Sequence, residues 1–113
     1  MVVMNIEGHP FMGPSILGID SFPNVRAIAL ICTEAGEGVK IMGVVEGDDI
    51  AKAIAESPKQ NCWKSHAYHG KVDIYIFETD MSPEERAKFR TRVIEKRAQF
   101  MFCDEITHKE EDW

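Results

Sequence analysis

The run Val25-Arg26-Ala27-Ile28-Ala29-Leu30-Ile31-Cys32-Thr33 constrains this chain more than any other stretch. After Arg26 it is apolar at odd and even positions alike, whereas a strand with one wet face alternates. A strand of that kind is covered on both sides, so helices must pack on both faces of its sheet. Glu34-Ala35-Gly36-Glu37-Gly38 follows, a loop of hairpin length with two glycines, and it predicts an antiparallel return over Val39–Val45.

From Val39 to Ala55 the chain reads as strand, turn and helix. Asp48 or Asp49 can cap the helix, and Ile50, Ala53 and Ile54 share one helical face. That helix is expected over 48–56, with Pro58 as its stop. The turn Glu46-Gly47-Asp48-Asp49 aims carboxylates at the positive end of the helix dipole, the wrong sign for gripping a phosphate. Ser57 to Gly70 shows no clear period and reads as a loop anchored by a buried Trp63. A third strand is expected over Lys71–Thr79. Ser82-Pro83-Glu84-Glu85 is a capping box with proline at the first helical position. The helix it starts should reach about Gln99 and bury Phe89, Val93, Ile94 and Phe100.

The expected architecture is therefore one α/β (α+β) domain over residues 1–113, a three-stranded antiparallel sheet flanked by helices. Residues 1–24 read as an N-terminal arm, broken by Gly8, Pro10, Gly13 and Pro14, with a short edge strand over Val2–Ile6. Residues 104–113 carry five acids against one lysine and read as a frayed tail.

A chain of 113 residues with 44% hydrophobic and 28% charged residues can bury a core without staples. Its net charge of −6 repels nucleic-acid phosphates as a whole. Three cysteines, an odd number, fit a reducing compartment better than a disulfide framework. No apolar run approaches the roughly 18 residues that span a bilayer. Met1 to Glu7 has no basic region like that of a signal peptide. A cytoplasmic protein without membrane contact is expected.

The order strand, hairpin, strand, helix, loop, strand, helix resembles the GIY-YIG domain in its small stand-alone bacterial form, from about Gly13 to Glu105. The residues that carry the likeness are Gly13-Pro14, the hairpin Arg26 to Val45, and Glu46-Gly47-Asp48-Asp49-Ile50. Further on they are Asn61-Cys62-Trp63 with His66, the capped last helix, and Cys103-Asp104-Glu105. The resemblance implies a phosphodiesterase built from a tyrosine near the attacking water, an arginine on the phosphate and a glutamate holding Mg²⁺. At the matching positions stand Ile28 and Gly43 for the two motif strands, Ala51 for the helix arginine, and about Arg92 for the metal glutamate. An alanine stabilises no oxyanion and an arginine ligates no cation. The expectation is a catalytically inactive domain acting as a binding or interaction module. The enzyme alternatives are a nuclease with rearranged residues and a thiol-dependent activity using Cys62 and His66.

Cys62 and His66, four apart, with His69 and Cys103, offer zinc-type ligands, but no paired C-x-x-C supports them. No metal and no cofactor are expected. The last helix is the one basic feature: Glu84 to Arg97 carries six cations and three glutamates, +3, which leaves −9 elsewhere. Lys88, Arg92 and Lys96 form an i, i+4 row that reads first as a solvated face. The sharper reading is a stripe for an acidic protein partner or a nucleic-acid backbone, covered by the acidic tail in the free chain. Candidate binding residues are Glu46, Trp63, His66, Lys88, Arg90 and Arg92, with Glu46 and Arg92 paired across the former cleft.

Overall fold

A computed structural model of the chain describes residues 2–36, 38–97, 101, 103 and 104. Its strands are β1 (Val2–Ile6), β2 (His9–Ile16), β3 (Ala27–Ala35), β4 (Gly38–Gly47) and β5 (Asp73–Glu78). Its helices are α1 (Ile50–Ala55), α2 (Gln60–His66) and α3 (Pro83–Lys96), with a 3₁₀ turn at Tyr68–Gly70. The strands form one antiparallel sheet in the order β1-β2-β5-β3-β4.

The run at 27–35 is central, hydrogen-bonded to β4 on one side and β5 on the other. Its even residues Ile28, Leu30 and Cys32 join Phe89, Val93 and Ile94 of α3 in one core. Its odd residues Ala27, Ala29 and Ile31 join Ile50 and Ile54 of α1 and Trp63 of α2 in the other. That two-sided burial is what apolar residues at every position require. On β4 the register slips opposite Ile31 and Cys32, so Met42 is the extra residue. Ile41 and Val44 accordingly share the α3 core while Met42 enters the other.

Five strands among the described residues, not three, is the main correction. The expected arm holds β2 as well as β1, and β2 pairs with β5. Two prolines in His9–Ile16 hide this strand from a sequence reading, because proline normally demotes a run. Gly13 lets β2 approach: a Cβ there would stand 2.7 Å from the Ile74 carbonyl oxygen. The register shifts between Met12 and Ser15, which takes Pro14 out of the regular ladder.

The segment at 60–66 is a helix where a loop was expected. Its buried positions are Trp63 and, just beyond it, Ala67, and two positions cannot establish a period. Trp63 is the buried anchor, 1% exposed. Helix α1 is shorter than 48–56 because Asp49 is its cap, accepting from the Lys52 N–H. The capping box holds as read, Ser82 and Glu85 each accepting the other's backbone N–H. The expected end at Gln99, the burial of Phe100 and the tail from Glu105 lie outside the described residues. Among those described, no helix is long and apolar enough to cross a membrane.

Candidate functional site

Strand β4 is the last in the sheet among the described residues, so its outward N–H and C=O groups need partners other than a further described strand. At Val44 two side chains supply them. The Val44 N–H donates to Asp104 Oδ2 at 2.7 Å, and Arg90 Nε donates to the Val44 carbonyl at 2.9 Å. The other Asp104 oxygen accepts from Lys59 Nζ at 2.9 Å and lies 3.2 Å from an Arg90 nitrogen. The Asp104 side chain is only 4% exposed, so its charge is removed from water but met by two cations and an amide. A frayed residue was expected here; these contacts hold it in place. Beside it opens a cavity of about 200 Å³ at the β4 edge, walled in part by Glu46, Ser57, Lys59 and Arg90.

One turn earlier on α3, Arg86 reaches the same strand. It donates to Glu46 and to Asp48, each at 2.8 Å, and to the Met81 carbonyl at 2.9 Å. The hydrogen bond to Glu46 first, and that to Asp48 with it, raise the Arg86 pKa above its ordinary value although burial lowers it. Arg86 and Arg90, four apart, thus form an edge-facing row between α3 and β4. Glu46 pairs with this buried Arg86, not with the expected Arg92.

Arg92 and Lys96 face the other way. Glu7, in the turn between β1 and β2, lies 3.7 Å from Arg92, 3.2 Å from Lys96 and 3.9 Å from Arg97. One carboxylate therefore neutralises most of the expected docking stripe. Lys88 remains on the α3 surface in a groove with Ala87, Thr91 and Arg92.

The resemblance sets Ile28, Gly43, Ala51 and Arg92 against nuclease motifs. Ile28 is fully buried in the α3 core. Ala51 donates its N–H to the Pro23 carbonyl at 3.2 Å, while Ile50 donates to Val25 at 2.9 Å, so the first turn of α1 is tied to the segment before β3. Gly43 lies against Asp104 and Trp63: a Cβ on it would meet Asp104 Oδ2 at 2.9 Å and Trp63 Nε1 at 3.5 Å. None of the four lines the cavity at the β4 edge.

Trp63 is core rather than contact surface. His66 is exposed, its Nδ1 3.1 Å from the Cys62 carbonyl oxygen and 3.6 Å from Cys62 Sγ. Cys62 and Cys103 are joined in a disulfide, with their Cα atoms 5.8 Å apart, which corrects the expectation of unpaired thiols. The pairing was invisible in sequence because 41 residues separate the partners. Cys32 is free and buried in the sheet, where desolvation pushes its thiol pKa far up.

Sequence reasoning missed Lys59, Arg86 and Asp104. The i, i+4 spacing of Arg86 and Arg90 was a usable signal; nothing local marked Lys59. No family model, curated protein or solved structure matches the chain.

Proposed function

We propose that this chain is a non-catalytic binding module on a GIY-YIG-like core, and that it takes the carboxylate of an acidic protein segment at the β4 edge. One observation carries the reading: the Val44 N–H, Lys59 and Arg90 converge on a single carboxylate. In the free chain that carboxylate is its own Asp104, which marks the chemistry the site accepts. A nucleic-acid backbone fits less well, because Glu46 lines the same cavity and the chain carries −6 overall.

The family resemblance is supported by the β4-β3-β5 order, with α1 and α2 between β4 and β5 in the chain and α3 after β5. The absence of nuclease chemistry is supported by what occupies the catalytic positions, an immersed Ile28, an Ala51, and an Arg92 directed at Glu7.

The test is fluorescence anisotropy with a labelled oligoglutamate peptide, with a single-stranded oligonucleotide in parallel. Asp104→Ala should bind the peptide at least about 10-fold more tightly than the parent, about 1.4 kcal/mol. Adding Lys59→Ala or Arg90→Ala should abolish that gain. No gain in Asp104→Ala, or tighter binding of the oligonucleotide than of the peptide, refutes the proposal. Supercoiled DNA should stay intact with Mg²⁺ or Mn²⁺, and neither ion should raise the melting midpoint. Nicking that co-purifies with the protein and vanishes in Arg90→Ala would restore the nuclease reading.

A further inference from the structure

We infer that Cys62, His66 and Cys103 form a binding site for a zinc-type divalent ion when the disulfide is open. The inference stands whether or not the β4 edge takes an acidic ligand. The ligand atoms lie within 4.8 Å of one another. Cys62 and His66 are four apart and so share one face of α2; Cys103 comes to them from the far end of the chain.

The distances fit a tetrahedral ion. With Zn–S near 2.3 Å and Zn–N near 2.05 Å, the sulfur-to-nitrogen edge of the tetrahedron is about 3.6 Å. His66 Nδ1 lies 3.6 Å from Cys62 Sγ and 4.0 Å from Cys103 Sγ. The two sulfurs must part to about 3.8 Å, the sulfur-to-sulfur edge of the same figure. Rotation about the Cα–Cβ bond of the half-buried Cys62 can do this while the buried Cys103 stays in place. His66 would give up its contact with the Cys62 carbonyl, present Nδ1 as a lone pair, and carry its proton on Nε2. Two thiolates and an imidazole are a borderline-soft set that selects zinc over magnesium or calcium. Among the described residues the group has three members, which leaves one of four positions for water or a ligand.

Opening the disulfide needs two electrons and two protons. A low-molecular-weight thiol supplies them: two such thiols become their disulfide while Cys62 and Cys103 become thiols. The ion then displaces both thiol protons and forms two metal–sulfur bonds and one metal–nitrogen bond. Disulfide and metal are thus alternative clamps on one pair of sulfurs. Either holds Cys103 against α2, and with it the neighbouring Asp104 in its cleft. A reducing compartment would remove the first clamp and permit the second. Cys32 does not compete, because it is buried among β-strand neighbours away from this group.

The test uses the full chain, freed of metal and reduced with a phosphine that does not itself ligate. Cobalt(II) is added and the absorption spectrum recorded. One equivalent per chain should give thiolate-to-cobalt charge transfer with the intense visible bands of a tetrahedral ion, and zinc should bleach them. The oxidised protein, the same folded chain, should give neither. Cys62→Ser, Cys103→Ser and His66→Ala should each lose the spectrum, with far-UV circular dichroism reporting their folding. If any variant unfolds, the reduced and oxidised parent proteins decide the matter. No bands in the reduced parent, bands in the oxidised one, or a full spectrum in folded His66→Ala overturns the inference.

Discussion

Arg86→Met tests whether α3 is fixed to the sheet edge by a charge clamp or only by its apolar face. The Arg86 side chain is 2% exposed and makes three hydrogen bonds, two of them to carboxylates. Removing one member of a buried ion pair costs about 3–5 kcal/mol when it strands a charge out of water. Here the survivors are less isolated, since the Glu46 side chain is 26% exposed and that of Asp48 is 74% exposed. Both can rehydrate, and the methionine keeps most of the packing of the arginine stem. The expected loss is therefore below that range, about 2–3 kcal/mol, drawn from charge-assisted bonds of about 1.5–3 kcal/mol each less the relieved desolvation of the guanidinium. Glu46→Gln should lose more than Asp48→Asn, because the exposed Asp48 pair contributes at most about 1 kcal/mol. Urea unfolding with an unchanged slope is the assay. In the Arg86→Met/Glu46→Gln double variant the losses should fall short of additivity by about 1–2 kcal/mol. Additive losses, or a midpoint for Arg86→Met equal to that of the parent, would refute the clamp.

Trp63→Ala should destabilise by about 3–5 kcal/mol in the same assay, as full truncation of a large core side chain does; unchanged stability would show that α2 is not anchored by this ring. Asp73 is 2% exposed, and desolvation by burial first, with Glu34 adding, raises its pKa against the pull of Lys71 at 3.8 Å. A carboxyl whose pKa is raised on folding favours the folded state at low pH and loses that contribution as pH climbs past the unfolded value of 3.8. Asp73→Asn should therefore be more stable than the parent at pH 7, with the advantage fading as pH falls toward 4; an advantage that does not vary with pH would refute this. Gly43→Ala should cost about 1–3 kcal/mol by overpacking, and much less in an Asp104→Ala background; equal costs in both would place the clash elsewhere.

Much of the framework was legible because it rests on local signals. The two-sided run at 27–33, the glycine hairpin, and the Ser82 capping box each specify an element from a few adjacent residues. Strand β2 was hidden because its pairing depends on what Gly13 lacks and on a register slip past Pro14, both defined only by β5. Helix α2 was hidden because its stability comes from one ring and a disulfide, not from a repeating apolar face. The site was harder still. Arg90 was singled out, but its carboxylate partner lies beyond α3, and Lys59 follows a proline in a connection with no pattern. A turn of three carboxylates suggested a cleft facing Arg92; the turn meets the buried Arg86 instead, through Glu46 and Asp48.

The surroundings of Gly43 decide what residue position 43 can hold. Any side chain at 43 needs room for its Cβ, yet that atom alone would stand 2.9 Å from Asp104 Oδ2 and 3.5 Å from Trp63 Nε1. The carboxylate itself is fixed by Lys59, Arg90 and the Val44 amide, so swinging aside would cost its contacts with both cations and leave the edge N–H without its acceptor. Trp63 is equally fixed, fully immersed between α2 and the sheet. The bare backbone at 43 and the docked Asp104 therefore require one another. A chain that seats its own carboxylate on the sheet edge has no space for a large side chain at that position.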